Sequence, residues 1–251
     1  MGEVRAFALA GLPEVRPGDD LAALLAAAAP AAGLADGDVL CIAHKVVSKA
    51  EGRVVDLADV DPGPRALELA RAHGKDARHV QVVLDESAEI VRERPGVLIC
   101  RTRHGFVCAN AGVDASNAGG AERLVLLPVD PDTSARAIRA ALRDRLGVAP
   151  AVVITDSFGR AWRRGQCEVA IGLAGLTTVE SWDGRVDSDG RELRATAIAV
   201  ADEAAAAADL VRAKDSREPA VVVRGLAGHV TPDDGPGARD LVRAVEEDLF
   251  R

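Results

Sequence analysis

Short apolar runs alternate along this chain with longer stretches that carry helix signals, and this alternation limits the folds available to it. The runs DVLCIA (38–43), AVVITD (151–156) and AVVVRGL (220–226) have the length and the β-branched content of buried strands. Buried strands separated by helices are typical of mixed α/β proteins, in which each layer covers an apolar face of another. The fold class is therefore predicted to be α/β (mixed α+β), with more than one sheet.

The remaining elements follow from caps, turns and periodicity. A helix is predicted over 18–33, where Asp19 or Asp20 caps its start, and another over 131–147, where Gly147 follows the last turn. The other predicted elements are helices around Pro64–His73, His79–Arg92 and 196–214, a strand at 123–129, and hairpins at 97–110 and 181–193. No Ser/Gly linker or internal repeat divides the chain, so we expect one domain over residues 1–251, built as two intertwined α/β lobes.

The composition excludes several functional classes. The 251 residues carry 31 Lys+Arg against 39 Asp+Glu, a formal charge of −8, and 48% of them are apolar. Such a composition is globular, and the acidic balance with only 2% aromatic residues argues against nucleic acid as a partner. The most apolar window is broken by Pro30 and is too short to span a membrane. No signal peptide is visible, so we expect a cytoplasmic protein with free thiols.

Four polar clusters follow predicted strands or helices, and each has a functional and a purely structural interpretation. The first is HKVVSKAEG (44–52), in which Lys45, Ser48 and Lys49 come just after an apolar run. Lysine ammonium groups suit phosphate oxygens, and strand ends are where α/β proteins bind ligands. The alternative is a solvated, charged turn.

The second cluster, AGVDASNAGG (111–120), surrounds Asp114, Ser116 and Asn117 with small residues. The aspartate carboxylate offers hard oxygens for Mg²⁺ or Mn²⁺. The same residue types also form Asx turns, in which the side chain bonds its own backbone. The sequence alone leaves both interpretations open.

The third cluster, TDSFGRAWRRGQ, is the most informative. Asp156 and Ser157 directly follow the buried run AVVI and offer two ligand oxygens for a divalent cation. Arg160, Arg163 and Arg164 come next, a combination suited to a polyanionic substrate. The alternative is a surface loop with incidental arginines.

The fourth cluster, RAKDSRE (212–218), follows the Ala-rich helix and is interpreted as a capped helix end. Familiar nucleotide-binding devices are missing from the sequence. There is no P-loop of the form GxxxxGKS or GxxxxGKT, and no GxGxxG after a strand, so neither a P-loop protein nor a Rossmann fold is supported. There is also no GxSxG and no Cys–His dyad within one segment. Any nucleotide must be held by another kind of scaffold.

Taken in order, several segments resemble the coenzyme F420-0:L-glutamate ligase family. They extend from Gly11 to Gly225 and are GLPEVRPGDDL, HKVVSKAEGR, AGVDASN, ITDSFGRAWRRGQ, AIGLAGL, VADEAAAAADLV and VVVRGL. The resemblance implies an enzyme that adds L-glutamate, through a γ-linkage, to the terminal carboxylate of a deazaflavin coenzyme precursor, F420-0 or F420-1. It implies GTP as co-substrate, converted to GDP and phosphate, with two Mg²⁺ or Mn²⁺ ions and K⁺. It also implies a homodimer.

The same resemblance assigns roles to individual residues. The implied GTP contacts are Leu12, Pro13, Glu14, Val15, His44, Lys49 and Asn117, and more loosely Lys214. The implied ligands of the divalent cations are Asp114, Asp156 and Ser157. A lysine ammonium cannot ligate a cation, so at position 214 only the backbone carbonyl could do so. Some relatives carry a second, flavin-binding domain, which we expect to be absent here because the sequence stops at Arg251.

The residue types suit the implied reaction. A carboxylate does not react with an amine at neutral pH, but its acyl phosphate has a good leaving group. Forming that acyl phosphate brings two anions together, and cations must offset their repulsion. We expect Lys49 and Asp156 to act at the reacting groups, and Arg160, Arg163 and Arg164 to bind substrate. Two alternatives are a metal-dependent phosphatase or phosphotransferase that uses Asp156 as its nucleophile, and a non-catalytic GTP-binding module.

Overall fold

The protein is described here by a computed structural model that covers residues 2–248. Its strands are β1 (Arg5–Ala8), β2 (Val39–Ala43), β3 (Val54–Asp56), β4 (Ser87–Arg94), β5 (Val97–Thr102), β6 (Val107–Ala109), β7 (Arg123–Val125), β8 (Ala151–Arg160), β9 (Arg163–Ala174), β10 (Glu180–Ser181), β11 (Ala197–Ile198) and β12 (Ala220–Arg224). Its α-helices are α1 (Leu21–Ala32), α2 (His44–Ala50), α3 (Pro64–His73), α4 (Ala77–Asp85), α5 (Pro131–Leu146) and α6 (Val200–Asp209).

The largest sheet has the strand order β1-β12-β2-β8-β9. Strands β2 and β8 run parallel, whereas β1 with β12, β12 with β2, and β8 with β9 are antiparallel pairs. In the parallel pair, Ala43 lies opposite Thr155. The polar residues that follow Ala43 and Thr155 therefore begin at the same edge of the sheet, the edge at which α/β proteins bind their ligands.

Both faces of this sheet are covered. On one face, side chains such as Leu40 and Ile42 join α1 and α5 in a core, and on the other, Val39 and Cys41 join α6 in a second core. Successive residues of a strand point to opposite faces, so a strand covered on both sides has no polar alternation. This explains why DVLCIA is a continuous apolar run.

A smaller lobe lies between α2 and α5 in the chain. It contains α3 and α4, the pair β3–β7, and the sheet β4-β5-β6. Leu69, Val83, Leu98 and Leu124 pack in a core of their own. Because α2 and α5 both pack in the larger lobe, the smaller lobe is inserted into it as one continuous stretch of chain. The predicted mixed α/β class with several sheets is confirmed.

Most of the predicted elements are confirmed near their expected bounds. Helix α1 begins after Asp20, whose side chain accepts the Ala23 N–H at 2.9 Å. Helix α5 ends at Gly147, which takes the left-handed conformation (φ 71°) that commonly ends helices. The hairpin predicted at 97–110 is formed by β5 and β6.

The helix predicted over His79–Arg92 is wrong in its second half. Helix α4 ends at Asp85, and residues 87–94 form β4, which pairs antiparallel with β5. The two strands are joined at the Pro95–Gly96 dipeptide, with Gly96 at φ 81°. Pro and Gly favour such a turn, and pairing with the next strand prevails over the helical periodicity of the segment.

The cysteines agree with the sequence prediction of free thiols. Cys41, Cys100 and Cys108 are buried and Cys167 is half-buried, and none of them forms a disulfide in the described part of the chain. Burial raises the pKa of the Cys41 and Cys108 thiols to about 12, so both stay protonated at neutral pH. No helix within residues 2–248 combines the length and the apolar character needed to cross a bilayer.

Candidate active site

Helix α2 begins directly after β2, with no loop between them, at the edge of the main sheet where β2 ends. Its residues His44, Ser48 and Lys49 are buried, so the alternative of a solvated turn is wrong for this cluster. The Lys49 side chain is 11% exposed, and its Nζ contacts Glu14 Oε1 at 2.5 Å. A nearly buried ammonium at this edge, held by one carboxylate, is well placed to meet an anionic ligand.

The Asp114 loop contacts the first turn of α2 through Lys45. The Lys45 Nζ lies 2.7 Å from Asp114 Oδ2 and 2.6 Å from Ser116 Oγ. Asp114 Oδ1 also accepts the Ser116 N–H at 2.7 Å, so the loop contains the predicted Asx turn. Burial raises the pKa of Asp114, but the Lys45 ammonium and the Ser116 bonds outweigh it, and the pKa lies below its ordinary value. The carboxylate therefore stays ionised at neutral pH.

The third cluster forms the hairpin of β8 and β9, so its interpretation as polar residues at the end of a strand is wrong. Asp156 and Ser157 lie within β8 and pair with Val169 and Glu168 of β9. These polar residues continue the β8–β9 pairing beyond the buried core, and no local sequence pattern indicates that the strand extends so far. A register shift between Ile154 and Thr155 marks a bulge just before them, and such bulges redirect side chains beside functional sites.

Asp156 and Ser157 point to opposite faces of β8, as successive strand residues do. The Asp156 Oδ1 lies 3.4 Å from His44 Nε2 and accepts the Ser157 N–H at 2.8 Å. His44 is buried, and its Nε2 has no hydrogen-bond partner in the described part of the chain. No lysine or arginine between residues 2 and 248 forms an ion pair with Asp156, so its charge is the least compensated at this edge.

Ser157 contacts a buried ion pair that the sequence did not predict. Its Oγ donates to Glu168 Oε1 at 2.5 Å, and Glu168 Oε2 accepts from Arg212 Nη2 at 2.7 Å. The Arg212 and Glu168 side chains are only 9% and 6% exposed. The one available signal was an acidic residue at the start of the apolar run EVAIGLA, which forms most of β9.

The loop 212–218 contacts Ser157 and Asn117, and its interpretation as a helix end is wrong, because α6 ends at Asp209. The Lys214 Nζ lies 2.6 Å from Ser157 Oγ, and the Lys214 carbonyl accepts from Asn117 Nδ2 at 3.4 Å. Asn117 (φ 56°) and Arg217 (φ 58°) both take the left-handed conformation. Backbone strain of this kind in non-glycine residues clusters at functional sites.

The three predicted substrate arginines lie at the tip of the β8–β9 hairpin and outside these contacts. Arg160 pairs with Arg163 across the tip, and Arg160 Nη2 donates to the Arg164 carbonyl at 2.8 Å. All three are exposed. Arg160 is three residues beyond Ser157, a distance of about 10 Å along a strand. The tip can therefore contact only a ligand that extends away from Asp156.

The N-terminal stretch contributes one side chain to the contacts of the site. Glu14 pairs with Lys49, whereas Val15 is buried in the core and Leu12 packs against that core. Pro13 is exposed. The structure therefore brings the predicted residues of α2, the Asp114 loop, the hairpin and loop 212–218 together with Glu14.

The oxygens at this edge suit a divalent cation of the Mg²⁺ or Mn²⁺ type. Asp114 contacts Lys45 and Asp156 contacts His44, so the two carboxylates approach neighbouring residues of the first turn of α2. Within residues 2–248 no three His, Cys, Asp or Glu side chains form a ready metal site. The donor set fits Mg²⁺, which usually takes one or two carboxylates and completes its shell with water and substrate phosphates.

This α/β chain has lysines and carboxylates gathered at one edge of its main sheet. Comparison with named proteins shows that it is a ligase. The chain belongs to the F420-0:Gamma-glutamyl ligase family, whose model matches residues 11–225. The resemblance seen in the sequence motifs is thereby confirmed.

Three relatives cover almost the whole chain, and each is named coenzyme F420:L-glutamate ligase. The protein of Methanopyrus kandleri is 47% identical over 240 residues, 95% of this chain and 94% of the relative. The protein of Methanothermobacter thermautotrophicus is 44% identical over 245 residues, 96% of each chain. The protein of Halobacterium salinarum is 47% identical over 255 residues, 99% of this chain and 96% of the relative.

Proposed function

We propose that this chain is a GTP-dependent ligase that joins L-glutamate, through a γ-linkage, to the terminal carboxylate of coenzyme F420-0 or F420-1. The family and the names of the relatives support the glutamyl transfer. The observation that carries the proposal is that four distant segments meet at one sheet edge: α2, the Asp114 loop, the β8–β9 hairpin and the loop 212–218. Helix α2 contacts Asp114 and Asp156. Lys214 contacts Ser157 and Asn117.

The first step makes an acyl phosphate. An oxygen of the acceptor carboxylate attacks the γ-phosphorus of GTP, the bond to the β–γ bridging oxygen breaks, and GDP leaves. Lys45 and Lys49, held by Asp114 and Glu14, offset the charge on the transferred phosphoryl group. Lys49 is nearly buried, so water screens its charge only weakly.

A divalent cation, when bound, neutralises phosphate oxygens. Asp114 and Asp156 would hold it through their carboxylates, while Ser157 Oγ, the third predicted ligand, already contacts the ammonium of Lys214. His44, Asn117 and Lys214 would bind the nucleotide, with Leu12, Pro13, Glu14 and Val15 forming the N-terminal wall of its site. K⁺ and a homodimer are part of the same proposal.

The second step makes the amide. The amino nitrogen of L-glutamate attacks the acyl carbonyl carbon, the bond between that carbon and the bridging oxygen breaks, and inorganic phosphate leaves with the proton that the nitrogen releases. The exposed guanidiniums of Arg160, Arg163 and Arg164 would bind the anionic groups of the substrates as they extend from the reacting carboxylate.

One assay tests the proposal. The purified protein is incubated with GTP, Mn²⁺, L-glutamate and F420-0, and the products are read by mass spectrometry. We expect glutamyl addition with matching GDP and phosphate. A folded protein that gives no glutamylated product under these conditions contradicts the proposal.

Omitting L-glutamate from the same assay separates the two alternatives. A phosphatase that uses Asp156 as nucleophile would still release phosphate, and borohydride would trap its phospho-aspartate. A non-catalytic GTP-binding module would bind GTP and release no GDP in either mixture.

A further inference from the structure

The Ser157 face of β8 already contains a positive charge, that of the exposed Lys214. The Lys214 Nζ lies 2.6 Å from Ser157 Oγ. The proton of the same hydroxyl is directed to Glu168 Oε1 at 2.5 Å, because a carboxylate can only accept. Ser157 therefore presents its lone pairs to the ammonium, and these are the electrons with which it would bind a metal ion.

Nearby charges do not cancel that of Lys214. Glu168 is paired with Arg212, and both side chains are buried, so this pair is neutral as a unit. Asp209 interacts with Lys214 only at longer range, and no carboxylate among residues 2–248 forms an ion pair with the Lys214 ammonium. A divalent cation at Ser157 would have to lie against a like charge.

The opposite face of β8, the Asp156 face, has a negative charge in place of a positive one. Asp156 points to the buried His44 and lacks a lysine or arginine partner in the described chain. Asp114, the other carboxylate proposed to hold the cation, shares its charge with Lys45, so Asp156 has the more available charge of the two. A strand directs successive side chains to opposite faces, so one ion cannot easily reach both Asp156 and Ser157. The uncompensated carboxylate is the place for a divalent cation.

We infer that this chain binds a single divalent cation, on the Asp156 face of β8, and that the Lys214 ammonium supplies the second positive charge at Ser157. The inference rests on the proposed function and departs from the two cations that the family resemblance implies. Glu168 and Arg212 act here as positioning residues, since they fix the Ser157 hydroxyl and so the direction of its lone pairs.

The test is a count of bound Mn²⁺ per chain, made by electron paramagnetic resonance with saturating β,γ-imido GTP, so that no turnover is needed. The wild type is expected to bind one ion. Lys214→Gln removes the ammonium and offers an amide oxygen as a ligand, and it is expected to bind two. Lys214→Arg keeps the charge and should bind one.

A matched control removes a positive charge elsewhere. Arg143→Gln changes an exposed arginine of α5, 62% exposed at its side chain, and should still bind one ion. Two ions in the wild type, or one in Lys214→Gln, would overturn the inference and leave the proposed function standing. If the folded wild type binds no ion, the proposed function must do without a divalent cation, and the inference is overturned as well.

Discussion

Asp156 has more influence on the proposed chemistry than any other carboxylate at the site. It lies in a paired strand, faces a buried histidine, and has no lysine or arginine partner in the part of the chain that the structure describes. A charge that the protein leaves uncompensated is available to a ligand. Its removal should therefore affect the reaction far more than the fold.

Replacing Asp156 with Asn keeps the shape of the side chain and removes its charge. We expect the rate of glutamyl addition to fall by about 10²-fold or more, the usual cost of losing one electrostatic stabiliser of a transition state. Circular dichroism should show an unchanged fold, because Asn fits the same space and, among the described residues, the Asp156 carboxylate pairs with no side chain other than that of His44. A variant that retains most of its rate would contradict the cation role.

Replacing Arg163 with Ala tests the hairpin tip. A charged hydrogen bond contributes about 1.5–3 kcal/mol, so the KM for F420-0 should rise by roughly tenfold or more while kcat changes less. The matched control is Arg194→Ala, an arginine 80% exposed that pairs with Glu192 on another hairpin. If KM and kcat for F420-0 both stay at their wild-type values in Arg163→Ala, the tip does not bind this substrate.

The sequence indicated those candidate site residues that lie within a compact motif. Lys49, Asp114 and Asp156 each come with small or polar neighbours that indicate a ligand. The ion pair of Glu168 and Arg212 was not predicted, because the two residues are 44 positions apart in the sequence. Pairing between distant segments leaves no local pattern in either one.

Strand β9 packs closely on the start of α5. A Cβ added at Gly172 would lie 2.3 Å from the carbonyl oxygen of Pro131, whereas one added at Gly159, on the same hairpin, would meet nothing within 4 Å. Neither glycine has a positive φ, so the two positions differ in space and not in backbone conformation.

Gly172→Ala should therefore lower the free energy of unfolding by about 1–3 kcal/mol, the usual cost of overpacking. Gly159→Ala should change it by less than about 0.5 kcal/mol. Urea unfolding followed by circular dichroism measures both values. Equal stability of the two variants would show that α5 can move away from β9 without loss.

Element boundaries were predictable where a cap or a proline marks them. Helix α3 runs from Pro64 to His73 before Gly74, and α5 runs from Pro131 to Leu146 before Gly147, as predicted. The ends of α4 and β8 were not predictable in this way. Both depend on which strand the following residues pair with, and that partner is chosen by tertiary structure.

Arg139 of α5 joins the C-terminal segment to the main sheet. Its guanidinium donates to the carbonyl oxygens of Pro150, Thr231 and Asp233, and it pairs with Asp234. The side chain is 6% exposed. Several acceptors from separate parts of the chain therefore depend on one buried cation.

Arg139→Met should lower the free energy of unfolding by about 3 kcal/mol, because three carbonyl oxygens, that of the buried Pro150 among them, and the Asp234 carboxylate lose their cationic donor. The matched change on the exposed face of the same helix, Arg143→Met, should alter it by less than about 0.5 kcal/mol. Both are measured by urea denaturation. A loss below about 1 kcal/mol for Arg139→Met would mean that water replaces the guanidinium at these oxygens.

The position of β12 between β1 and β2 has a consequence for synthesis on the ribosome. Residue Arg5 of the first strand lies opposite Arg224 of the last strand. A nascent chain must therefore keep its N-terminal segment unpaired until nearly all of it has been translated, whereas the smaller lobe is formed by one continuous stretch and can fold early. Such a late, long-range closure slows folding, and truncated translation products would expose the edge of β2 to aggregation.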